Sequence, residues 1–262
     1  MMKLIFVSTL LLSSASVLAH NNSFSGNACD IELLTNIRVS ANTIEFSQND
    51  LALYTIINNE KLYVAGNVIS LSVGDQTLLT SYSTKIREVF PEIKSITIEG
   101  IDVAIQGLNL AFNELLGEGN EVGVELTSQL QLIAEEVDAE FTGDFILNEE
   151  GLVINDQAFT QAFEQRIENI VEHSLTSSVG SLLVAVGQEM LFSGGNTDAF
   201  QQKMEVFGEK IEHEMESRAN NLGQRANALC TLVRSIDNLE EQLKVNIKAM
   251  PTVDVLYIEL NQ

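Results

Sequence analysis

Tryptophan is absent from this chain, and aromatic residues make up only 6% of it. With no interleaving of basic and aromatic residues, there is no material for a platform on which bases or sugars could stack. Positive charge is also scarce: 14 basic residues face 37 acidic ones, a formal net charge of −23. Such a surface repels phosphate backbones and anionic lipid, which argues against nucleic acid and electrostatic membrane docking as partners. Cysteine occurs twice, at Cys29 and Cys230, without the Cys-x-x-Cys spacing of a redox-active pair. Long apolar runs are missing as well. The densest internal one, "VGSLLVAVG" at 179–187, falls far short of the ~20 residues that cross a bilayer.

Catalytic signatures are equally thin. There is no Gly-x-Ser-x-Gly elbow for a nucleophilic serine. The glycines of "GEGNEVG" (117–123) follow a helical pattern, whereas a dinucleotide fingerprint follows a strand and opens a helix. His213 has Glu209 four residues before it and Glu216 three after, one helical face that could hold a divalent metal. No second histidine lies near it in sequence, and an acidic solvent-facing helix produces the same spacing. His173, following Glu164, Glu168 and Glu172, reads the same way. No catalytic, cofactor-binding or metal-ligating residue is therefore assigned.

The N-terminus is informative. Met1, Met2 and Lys3 form a short positive region, an apolar stretch follows, and small residues lead to Val17, Leu18 and Ala19. This is the layout of a secretory signal peptide cleaved after Ala19. Removal of 1–19 takes away Lys3 and no acid, so the charge moves from −23 to −24. Position 20 is His, and Cys29 lies well beyond the cleavage point, so Cys29 is not a lipid attachment site. The expected location is the periplasm, with no transmembrane segment in the mature chain. In that oxidising compartment an even pair of cysteines reads as a disulfide, Cys29–Cys230, with free thiols as the alternative.

The pattern along 30–72 is that of strands. Ile37, Val39, Ile44 and Phe46 alternate with polar residues, and "LALYTII" and "KLYVA" flank the turn composition of Asn58, Asn59 and Glu60. At Ser72 the period changes to helical. Leu78, Tyr82, Ile86 and Val89 share a face up to Pro91, and a second helix fits 93–116, weakened by Gly100 and Gly107. A third helix carries Leu126, Leu130, Ile133 and Val137. Residues 145–154 read as a small hairpin, followed by a long helix that stops at "SGGN" (193–196). The last helix has the most regular seam, from Phe200 through Leu229, Val233 and Ile236 to Leu243 and Ile247. It is expected to fold back on the preceding helix as a hairpin, with an intermolecular coiled coil as the alternative. "TVDVLYIEL", after Pro251, alternates like an added strand.

With Cys29 just after the signal, "KLYVAGNVISLS" leading to a helix ending "IREVFP", the "SGGN" loop and a late cysteine in "LCTLVRSIDNLEEQL", the chain resembles the YggN-like family. These are exported gammaproteobacterial proteins of unknown function. The resemblance spans about 29–243 and implies a periplasmic location and an α+β fold; it supplies no catalytic residues.

The expected fold is α+β: an N-terminal antiparallel β-meander at 30–72 packed against a bundle of long amphipathic helices at 73–250. A flexible mature N-terminus at 20–28 precedes it, a C-terminal extension or strand occupies 251–262, and 29–262 form a single domain. The expected function is that of a non-enzymatic envelope protein that binds another envelope protein through its helical surfaces. Alternatives are a carrier of an apolar small molecule between sheet and helices, and a hydrolase with a site assembled from distant residues.

Overall fold

The computed structural model describes residues 23–25, 30–49, 51–148, 151–155, 157–192 and 197–259. Strands β3 (Asn36–Val39), β4 (Thr43–Gln48), β5 (Leu51–Ile57), β6 (Lys61–Val64) and β7 (Asn67–Val68) form the expected antiparallel meander. Asn and Gly in its turns tolerate the left-handed region, and Ala65 adopts it at a steric cost. Asn58 and Asn59 both have positive φ between β5 and β6, as do Ala65 and Gly66 between β6 and β7. Alternation then sends Val39, Ile44, Phe46, Tyr54, Ile56 and Leu62 to one buried face.

Two features extend the meander beyond its expected limits. The hairpin of β8 (Phe145–Asn148) and β9 (Gly151–Ile154) is not isolated: β8 pairs with β3. With β10 (Gln157–Ala158), the sheet runs β10-β9-β8-β3-β4-β5-β6-β7. Residues 30–33, expected within the meander, instead form β2 (Asp30–Leu33) of a second sheet, between β1 (Ser23–Ser25) and β11 (Leu256–Glu259). The strand expected after Pro251 thus returns to the start of the chain.

Helix α1 (Val73–Leu116) opens on a capping box in which Ser72 Oγ accepts from the Asp75 amide at 3.2 Å. It runs unbroken through Pro91, where the sequence pattern predicts two helices. Proline removes the bond to the Arg87 carbonyl and crowds it with its ring, and packing on both sides of that rung outweighs the loss. Phe90 before it and Ile101 and Ile105 beyond it are all buried. Helix α2 (Glu121–Glu140) is capped by Asn120, whose Oδ1 accepts from the Gly123 amide at 2.7 Å. Helices α3 (Phe159–Phe192) and α4 (Thr197–Asn246) follow, and "SGGN" lies outside the described residues.

Among the described residues the main partner of α4 is α1, with a lesser contact to α3, where a hairpin on α3 is the sequence-based expectation. Arg225 of α4 bonds Glu92 and Glu99 of α1, and Lys210 of α4 lies 3.3 Å from Glu114 of α1. One number rises as the other falls, so the pair is antiparallel. Gly100 and Gly107, which weaken the helix in isolation, face Leu222 and Met215 of α4 at this seam. Buried side chains from the large sheet, α1, α2, α4 and β11 belong to one cluster.

Candidate functional sites

Glu240 has no exposed surface, although α4 is otherwise polar on its outer side. It occupies the place between Ile236 and Leu243 where the 3- and 4-residue seam calls for an apolar side chain. Its Oε2 lies 3.4 Å from the Val255 amide, and its Oε1 lies 3.0 Å from Lys244 Nζ without the alignment of a hydrogen bond. Burial pushes the Glu240 carboxyl up to about 7, although Lys244 and the Val255 amide pull the other way. Burial also works against the Lys244 ammonium, but Asp254, Glu241 and Glu240 overcome it and hold its pKa above the usual lysine range.

Next to this acid, the hydroxyls of Tyr54 (β5) and Tyr82 (α1) share a hydrogen bond of 2.9 Å, with Phe46 stacked on Tyr54 at 4.2 Å. Burial drives both phenols well above 10, and the Glu240 charge adds to it, so both stay protonated. Polar and enclosed, the cluster ties the sheet to α1 and α4. No substrate reaches an acid with no exposed surface, so its role is structural.

A solvent-reachable site lies elsewhere. The β3–β4 turn, the middle of α1 and the segment from α2 to β8 enclose a cleft of about 320 Å³. Val39, Phe90, Phe141 and Phe145 supply apolar wall, and Arg87 and Lys94 are its cations. The wall is pre-built: Phe90 stacks on Phe145 at 4.6 Å, and Phe141 lies 5.8 Å from Phe145. Gly143, with φ +111°, turns the chain beside it, and Asn155 holds that turn by donating from Nδ2 to the Thr142 carbonyl at 3.0 Å.

The two cations differ. Lys94 is matched, with Nζ 2.9 Å from Asp138 Oδ1 and 2.8 Å from the Asp138 carbonyl. Arg87 has neutral partners: Nε donates to Asn59 Oδ1 at 3.0 Å and Nη1 to the Ser40 carbonyl at 2.5 Å. Among the described residues no carboxylate pairs with it, and burial moves its pKa down. These two bonds fix the guanidinium and leave Nη2 without a protein partner.

A third feature is an overhang. Since Lys210 meets Glu114, α4 residues before about 208 have passed the end of α1 at Leu116. His173 of α3 lies 4.0 Å from Glu125, so α3 residues beyond about 177 have likewise passed the start of α2 at Glu121. At 1.5 Å per residue, α4 projects about 16 Å and α3 about 22 Å. Leu183 is 68% exposed, Val184 60% and Val206 60%. Nothing lies within 4 Å of a Cβ built on Gly180, Gly187 or Gly208.

The residues singled out in the sequence fall as follows. Glu209, His213 and Glu216 are exposed on α4, and His173 is exposed on α3. No group of three potential metal ligands converges among the described residues. Cys230 is 1% exposed beside Leu229 on α4, and Cys29 lies outside the described residues. No described helix is long and apolar enough to cross a membrane. Glu240 and Arg87 did not stand out in the sequence. The signal for Glu240 was there, as a seven-residue gap in an otherwise unbroken seam; for Arg87 there was none, since its neighbours come from distant turns.

Residues 29–256 match the model of a family described as "Protein of unknown function (DUF2884)". No curated protein and no solved structure matches the chain.

Proposed function

We propose, for a chain that belongs to the DUF2884 family, a non-enzymatic role in the envelope, exercised by binding another protein through the overhang of α3 and α4. Within the family we place it with the YggN-like exported proteins, on the pattern around Cys29, "KLYVAGNVISLS" and "SGGN". The signal-peptide layout of 1–19 supports export to the periplasm and cleavage after Ala19. The burial of Cys230, and the place of Cys29 in the sequence directly before β2, support a Cys29–Cys230 disulfide there.

The observation that carries the reading is the exposure of Leu183, Val184 and Val206 on helices that have passed the ends of α2 and α1. Exposed apolar side chains on projecting helices mark a candidate interaction surface. The occupant it fits is an amphipathic helix. The seam of α4 keeps its 3- and 4-residue steps through Met204 and Phe207, which is the spacing of helix-on-helix packing. Glu205 and Glu209 flank that seam, so the complementary helix carries basic flanks.

Purified partner capture at native expression tests this, with Leu183→Glu and Val184→Glu introduced together. The double variant should lose the captured protein while keeping the melting temperature of the parent. Unchanged capture, or a captured protein with no basic amphipathic helix at the contact, contradicts the reading. Self-association in light scattering that the double variant abolishes would instead make the occupant a second copy of this chain.

A further inference from the structure

We propose that the cleft between the β3–β4 turn, α1 and the α2–β8 segment binds a small amphipathic monocarboxylate, with the carboxylate on Arg87 and the apolar body against Phe90, Phe141 and Phe145. This site is separate from the overhang and stands whether or not that reading holds.

Charge sets the headgroup. Among the cleft-lining residues Arg87 is the cation without a carboxylate partner, and Asn59 and the Ser40 carbonyl hold it in place. Both partners are neutral, so the guanidinium keeps its full charge facing the cleft, and a ligand carboxylate meets Nη2 in a charge-assisted hydrogen bond. The site has capacity for one negative charge, because Asp138 already neutralises Lys94. A phosphate, carrying nearly two charges, finds too few donors and is repelled by the acidic surface.

Shape sets the rest. A volume of about 320 Å³ lies at the low end for small-molecule pockets and suits a medium-chain or single-ring body. The walls are already packed on one another, Phe90 on Phe145 and Phe141 against Phe159 at 5.2 Å, so binding needs little rearrangement.

Calorimetric titration of the full exported chain with octanoate, octanamide and inorganic phosphate tests the proposal. Octanoate should bind at least about 10-fold more tightly than octanamide, the fold-change expected from one charged hydrogen bond, and phosphate should not bind. Arg87→Met should remove that preference and leave octanamide unchanged. Because Arg87 also braces Asn59 and Ser40, the comparison of ligands on the parent chain decides the question even if the variant folds poorly. Equal affinity for octanoate and octanamide, tight phosphate binding, or no binding of either organic ligand overturns the proposal. An octanoate preference that survives in a folded Arg87→Met chain also overturns it.

Discussion

Glu240 shows how one side chain makes a core depend on pH. In the folded chain its carboxyl titrates at about 7; unfolded, it returns to the ordinary glutamate range. The folded state therefore holds a proton that the unfolded state has released. The associated stability is fully present below about pH 4.5 and is lost as pH rises through about 7. Between pH 5 and pH 8 the parent chain should lose on the order of 2–3 kcal/mol relative to Glu240→Gln, measured by urea denaturation. Equal pH slopes in the two chains would contradict this. Burying an acid at a seam position is also why this residue escaped sequence reading: periodicity counts apolar residues, and Glu240 appeared only as the empty step between Ile236 and Leu243.

At the scale of elements, the glycines separate two kinds of constraint. Gly107 lies inside α1 with no positive φ, and an added Cβ meets the flexible end of Met215, its terminal methyl at 3.4 Å and Sδ at 3.9 Å. Gly107→Ala should gain about 0.5–1 kcal/mol by relieving the helix of glycine's backbone entropy. Gly143 is the opposite case, with φ +111° and Asn155 Oδ1 where a Cβ would stand. Gly143→Ala should cost about 1–3 kcal/mol and disturb the cleft wall. Thermal melts of the two variants check the pair, and shifts of the same sign would contradict the account.

Elements were well read where one period dominated, as in β3 to β6 and in α2, α3 and α4. The pattern failed where a tertiary contact decided. Pro91 looked like a boundary because the packing of Phe90 and Ile101 onto the rest of the core is invisible in a local window. The partner of α4 was misjudged because equal length and a short connection describe α3, whereas Arg225 and Lys210 find their acids on α1.

On the scale of the whole molecule, segments distant in sequence are brought together. β11 pairs with β2, so residues 256–259 lie against residues 30–33, next to Cys29 in sequence. The proposed Cys29–Cys230 bond would add a covalent closure of about 200 residues, worth up to ~5 kcal/mol through the unfolded state. Exported protein should migrate differently with and without reductant. Cys29→Ser should abolish that difference and lower the melting temperature, and identical mobility with two alkylatable thiols would contradict the clasp.

The proposed role itself lay only partly within reach of the sequence. The seam and the "VGSLLVAVG" run were legible, but not that α1 and α2 end short of them. That the overhang binds a helix is tested most directly by a photo-crosslinker placed at position 184, compared with one at position 228 alongside the body of α4, in cells expressing the protein at its native level. The account predicts one dominant adduct at 184, mapped to a basic amphipathic helix, and none at 228. Equal labelling at both positions, or none at 184, would contradict it.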